Sequence, residues 1–283
     1  MKTKFERRTI IYCATALILF GCLFLLTFRD GRPEERQAPQ IVVFGDSVPG
    51  MVRDHSGIAA QVGSLLDKTV YNAALGGTCI SRLDRENRLD YGKDSLSLSA
   101  LAKAVYMEDF GVQQTVRLRE PMTEYFADTI DELERIDFSA VETVLIEHGL
   151  NDFYAGVPLD NEANDMDEYT FAGALRSALT SLRKANPHMR ILLVTPTYTW
   201  LTAEGVTCQE FDAGYGNVDA YVQKEMEVAE EYGVEIIDLY HDFFPHEQWE
   251  DWKLYTEDGM HPNEAGRTLI TEKIVEYLNG RKE

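Results

Sequence analysis

The run Ile41-Val42-Val43-Phe44-Gly45-Asp46-Ser47-Val48-Pro49-Gly50 decides the fold. Its first four residues are apolar, mostly β-branched and too few for a helix, so they read as a strand buried on both faces. Turn-forming residues follow, and then residues 51–66 carry helical periodicity. The same succession recurs along the chain. Short apolar runs at 69–72, 143–147, 191–195 and 234–239 alternate with helical stretches at 169–185, 218–232 and 262–278. Buried strands separated by helices predict an α/β domain with a parallel sheet of about five strands, covered on both faces.

Residues 40–283 contain no internal repeat and no second linker, and read as one domain. Between the second and third strands lies an insertion, 81–140, with helical stretches at 96–106 and 115–135. It is too long for a bare loop and is expected to form part of a site wall. Upstream, residues 9–28 are uncharged and largely apolar. At ~1.5 Å per residue such a helix spans the ~30 Å hydrocarbon core of a bilayer. No small-residue cleavage site ends the run, so an uncleaved signal anchor is expected, with 1–8 as a cytoplasmic tail and 29–39 as a stalk. Leu19-Phe20-Gly21-Cys22 only loosely matches a lipoprotein cleavage box, because apolar residues continue after the cysteine. Four basic residues precede the span and three follow it, an arrangement that places the domain outside the membrane.

With 45% hydrophobic and 27% charged residues, disorder of the whole chain is excluded. The 48 acidic residues against 27 basic ones give a net charge of −21, which repels phosphate backbones and excludes nucleic acid as a partner. Cys13 and Cys22 lie in the span; Cys79 and Cys208 are either one disulfide or two separate buried thiols. No His-x-x-x-His or Cys-x-x-Cys pair suggests a transition-metal site.

Ligands of open parallel sheets bind beyond the carboxyl ends of the strands, so residues just after each strand carry the functional reading. After the first comes Gly45-Asp46-Ser47, which puts a serine hydroxyl in a tight turn with its N–H near a helix N-terminus. After the second comes Asn72-Ala73-Ala74-Leu75-Gly76-Gly77-Thr78, where glycine lets the backbone approach a ligand. After the third comes His148-Gly149-Leu150-Asn151-Asp152, which offers a side-chain amide to the same crevice. Near the C-terminus, Asp258-Gly259-Met260-His261-Pro262 precedes the last helix. A carboxylate three residues before a histidine can hold one imidazole nitrogen and leave the other to take a proton from a serine. Asp238-Leu239-Tyr240-His241 has the same spacing, but Asp238 belongs to the fifth strand, and the later pair is preferred.

These four blocks, in this order, resemble the SGNH (GDSL-like) hydrolase superfamily over roughly residues 40–280. The resemblance implies a three-layer α/β/α sandwich of flavodoxin-like form. It implies Ser47 as nucleophile, Asp258 and His261 as acid and base, and an oxyanion hole made by the Ser47 N–H, Gly77 and Asn151. No metal or organic cofactor is implied. Two positions depart from the family pattern: Ala74 stands where glycine is usual, and Leu150 where threonine is frequent. The expected reaction is hydrolysis of a short-chain, acetyl-type ester on carbohydrate or cell-wall polymer. Acyl transfer, a lipase or thioesterase activity, and a wall-binding module without catalysis are the alternatives. Tyr198 and Trp200, after the fourth strand, are expected to form an aromatic substrate platform.

Overall fold

Alternation along β1 (Ile41–Gly45) sorts the core into two halves. Ile41 and Val43 join one cluster, with Leu145, Leu192 and Ile237, whereas Val42 and Phe44 join the other, with Val144, Ile146 and Leu193. Side chains of a strand point alternately to opposite faces, so the sheet carries an apolar layer on each side. Each fully buried aliphatic side chain contributes roughly 1.5–3 kcal/mol. The computed structural model describes residues 38–83, 92–115 and 125–280.

The sheet contains β1, β2 (Val70–Asn72), β3 (Thr143–Glu147), β4 (Arg190–Val194) and β7 (Glu235–Ile237). Its order is β2-β1-β3-β4-β7, and every neighbouring pair is parallel. A short helical turn, α1 (Ser47–Gly50), leaves β1 directly. The first long helix, α2 (Ile58–Leu66), starts seven residues later than the periodicity predicts, because residues 51–57 form turns around Gly57. One face of the sheet is covered by α2 and the C-terminal helix α10 (Glu264–Gly280). The other is covered by α4 (Leu98–Met107), α5 (Tyr125–Glu134), α7 (Phe171–Ala185) and α8 (Val218–Tyr232). This is a three-layer α/β/α sandwich with flavodoxin-like strand order.

Helices α4 and α5 belong to the insertion, together with the single turn α3 (Gly92–Ser95). Two further short helices, α6 (Leu150–Tyr154) and α9 (Trp252–Tyr255), follow β3 and precede α10. An antiparallel pair not anticipated from sequence, β5 (Trp200–Leu201) with β6 (Val206–Thr207), follows β4. Strands of two residues carry no periodicity to detect. The expected tail and anchor, and the stalk up to residue 37, lie outside the described residues, as do residues 84–91 and 116–124 of the insertion. Among the described residues no helix is long and apolar enough to cross a membrane. Cys79 and Cys208 are both buried and are not joined in a disulfide.

Candidate active site

The four blocks meet at the carboxyl edge of the sheet. Ser47 is the first residue of α1, and the N-cap Asp46 accepts the Val48 N–H at 3.0 Å, which turns the chain out of β1 and leaves the serine at the helix start. Its Oγ lies 3.0 Å from His261 Nε2. The other ring nitrogen, Nδ1, lies 2.8 Å from Asp258 Oδ2. Asp258 Oδ1 in turn accepts the N–H groups of Met260 at 3.0 Å and His261 at 2.8 Å. Burial opposes ionisation of Asp258, but the His261 and Met260 hydrogen bonds outweigh it and hold this half-exposed carboxyl below its ordinary range. The turn demands glycine at 259: φ is +99°, and a Cβ there would stand 2.4 Å from the Trp200 carbonyl oxygen.

Asn151, in the first turn of α6, donates from Nδ2 to Asp46 Oδ2 at 2.9 Å. An amide nitrogen carries two hydrogens, so this bond orients the group and leaves a second donor. Asp46 is fully buried; burial raises its pKa to about 6 against the hydrogen bonds from Val48 and Asn151. Glu147, at the end of β3, is buried too and sits well above the ordinary carboxyl range, first through burial and then through Asp46 and Glu225. Asp152 accepts the N–H groups of Ile80 at 2.8 Å and Ser81 at 3.0 Å, joining the third block to the second. In the second block, Gly77 has φ +77° and its N–H makes no hydrogen bond among the described residues. This loop lies against the serine: a Cβ on Gly76 would stand 3.6 Å from Ser47 Cβ.

Ser47, His261 and Asp258 are thus brought together in hydrogen-bonding sequence, and Asn151 and the second-block loop flank Ser47. The rival pair forms the same local turn elsewhere. His241 Nδ1 lies 2.8 Å from Asp238 Oδ2, but its Nε2 lies 3.0 Å from Asp219 Oδ1, so both ring nitrogens are occupied by carboxylates. His148 is buried, and burial drives its pKa down to about 3. It packs as a neutral imidazole.

Tyr198 and Trp200 do not form a platform. Tyr198 is 3% and Trp200 1% exposed, with the two rings packed edge to face and Tyr198 stacked on His246. An aromatic ring inside the core has no face to offer a sugar. Their segment supports the histidine turn instead: the Trp200 N–H donates to Gly259 O at 2.8 Å, and the Thr202 hydroxyl to Asp258 O at 2.8 Å. Tyr154, which the sequence reading did not single out, is 37% exposed and lies three residues after Asn151 on α6. The helical spacing from Asn151 is the signal that could have found it.

A chain with this sheet order, a serine after the first strand and these polar groups at the sheet edge is an SGNH-type ester-hydrolysing enzyme. The model of the GDSL-like Lipase/Acylhydrolase family matches residues 43–269, and the chain belongs to that family. No curated protein matches it. Among solved structures it is similar to a protein from Lactobacillus plantarum, with 18% identity, a TM-score of 0.60, and coverage of 87% of this chain and 100% of that one. A possible lipase from Chitinophaga pinensis is 14% identical, with a TM-score of 0.56 and coverage of 86% and 98%. A family two carbohydrate esterase from Clostridium thermocellum, in complex with cellohexaose, is 16% identical, with a TM-score of 0.50 and coverage of 88% and 66%.

Proposed function

We propose that this acylhydrolase works through a Ser47-His261-Asp258 triad on short-chain, acetyl-type esters of carbohydrate or cell-wall polymer. The unbroken hydrogen-bond line from Ser47 Oγ through the His261 ring to Asp258 carries the reading. His261 Nε2 takes the Ser47 proton as Oγ attacks the ester carbonyl. The negative charge that develops on the carbonyl oxygen is met by the Ser47 N–H, the Gly77 N–H and the second Asn151 amide hydrogen. His261 then gives its proton to the departing alkoxide, leaving an acyl-serine. A water molecule, deprotonated by the same nitrogen, releases the acid and restores the hydroxyl.

Three observations support the carbohydrate ester. The net charge of −21 repels anionic lipid headgroups. One protein of similar fold is a carbohydrate esterase. Tyr154, on the same short helix as Asn151, is partly exposed. An aromatic face with a polar tip suits the rim of a sugar site. Acetyl esters are expected to be cleaved several-fold faster than octanoyl esters, and Tyr154→Ala to raise KM for an acetylated oligosaccharide more than for nitrophenyl acetate. A preference for octanoyl esters in the same steady-state assay would assign the enzyme to lipids or thioesters. The uncharged segment 9–28 supports a membrane-tethered, extracytoplasmic location for this chemistry. Protease added to intact cells should then digest the domain from residue 40 onward, and a protected domain would place it in the cytoplasm.

A further inference from the structure

We propose that Tyr125 and Arg53, both outside the four motif blocks, are positioning residues that aim the Gly77 N–H into the oxyanion hole. The inference rests on the triad reading above and adds to it a device supplied by the insertion.

The peptide joining Leu75 to Gly76 is held at both ends. Its carbonyl oxygen accepts the Thr78 N–H at 3.3 Å and the Thr78 hydroxyl at 2.7 Å. Its N–H, on Gly76, donates to the Tyr125 hydroxyl oxygen at 3.0 Å. The next N–H along the chain is that of Gly77. A Cβ built on Gly77 would meet nothing within 4 Å, and φ is +77°, so packing around its Cα does not restrain it. A glycine in open space has wide backbone freedom. The Gly77 N–H belongs to the following peptide, the central one of the turn that the Thr78 N–H closes on the Leu75 carbonyl, and its direction is set by rotation about Gly76, whose own N–H Tyr125 holds.

Tyr125 is itself fixed. It is the first residue of α5, and the Arg53 guanidinium lies 4.5 Å from its ring centroid. Arg53 donates to the Ala74 carbonyl at 3.0 Å, to the Asn72 carbonyl, and to Thr129 Oγ1 at 3.2 Å. The Thr129 hydroxyl donates to the Tyr125 carbonyl at 2.7 Å. One guanidinium thus ties the second-block loop to the insertion helix that carries the phenol. It grips the loop at Ala74, where the family usually has a more mobile glycine. Burial raises the Tyr125 pKa against the Gly76 hydrogen bond and the Arg53 charge, so the phenol stays neutral in the working range.

Tyr125→Phe removes the hydroxyl oxygen and keeps the ring under Arg53. The test is steady-state hydrolysis of nitrophenyl acetate, inhibition by phenylboronic acid, whose serine adduct mimics the tetrahedral intermediate, and thermal melting, with Ser47→Ala run in parallel. The expected result is a kcat lowered about tenfold, the scale of one lost hydrogen bond, with KM unchanged. Inhibition by phenylboronic acid should weaken by a similar factor while the melting temperature moves little. A raised KM with kcat kept would make Tyr125 a substrate contact and overturn the proposal, as would unchanged kcat and inhibition. If Tyr125→Phe does not fold, Arg53→Lys decides: it keeps the charge, loses the planar fork, and should also lower kcat at constant KM, whereas a wild-type kcat overturns the proposal. An active Ser47→Ala enzyme would instead remove the nucleophile assignment on which the proposal rests.

Discussion

Ser47→Ala is expected to lower ester hydrolysis by about 10⁴-fold or more while leaving the melting temperature near that of the unaltered protein. The hydroxyl is the hydrogen-bond partner of His261 Nε2 among the described residues, at 3.0 Å, and without it the imidazole has no nucleophile to deprotonate. The acyl-serine cannot form, and what remains is attack by water beside the oxyanion donors. Structural cost is small, because Ser47 is held in place through its backbone: its carbonyl accepts the Met51 N–H at 3.0 Å, and Asp46 caps the turn. Hydrolysis of nitrophenyl acetate by the purified protein measures the outcome. Retention of more than a few per cent of the activity would mean that another group attacks the ester.

His261→Ala should cause a loss of similar size, since the members of a triad act as a unit, whereas His241→Ala should change kcat by less than about twofold. The comparison is informative because both imidazoles sit three residues after an aspartate and both place Nδ1 2.8 Å from its Oδ2. Burial disfavours the charged form of His241, yet the hydrogen bonds and charges of Asp238 and Asp219 prevail and raise its pKa. It is thus a histidine clamped between α8 and the loop after β7, without a spare nitrogen for chemistry. Activity measured on the two variants side by side checks the assignment, and a severe loss at 241 with a mild one at 261 would reverse it.

This pair of histidines shows where sequence stops being informative. An aspartate three residues before a histidine forms the same closed turn at both places, because the contacts that make it are local: the histidine N–H and Nδ1 reach the two oxygens of one carboxyl. Legible in the same way were the sheet, through runs such as Ile41 to Phe44 whose apolar character needs cover on both faces, and the turn after β1, through Asp46 and its cap. Such features depend on neighbours within a few residues, and periodicity or turn chemistry encodes them directly.

What sits opposite the far nitrogen depends on residues hundreds of positions apart in some cases and on another helix in others. Ser47 faces His261 only because β1 lies inside the sheet, between β2 and β3, and the turn before α10 returns to its carboxyl edge; Asp219 faces His241 only because α8 begins there. The same reason explains the aromatic misreading. Tyr198 and Trp200 follow a strand as a rim residue would, yet whether a ring points to solvent or into the core is set by what packs on it, here His246, Tyr240 and the histidine turn. Tyr125 carried no signal at all, since its role arises from one hydroxyl meeting one N–H across 49 residues. The sequence by itself determined the elements, their order and the chemical groups at the strand ends. Only the tertiary structure decided which of those groups meet, because long-range packing, not local propensity, sets the distances between them.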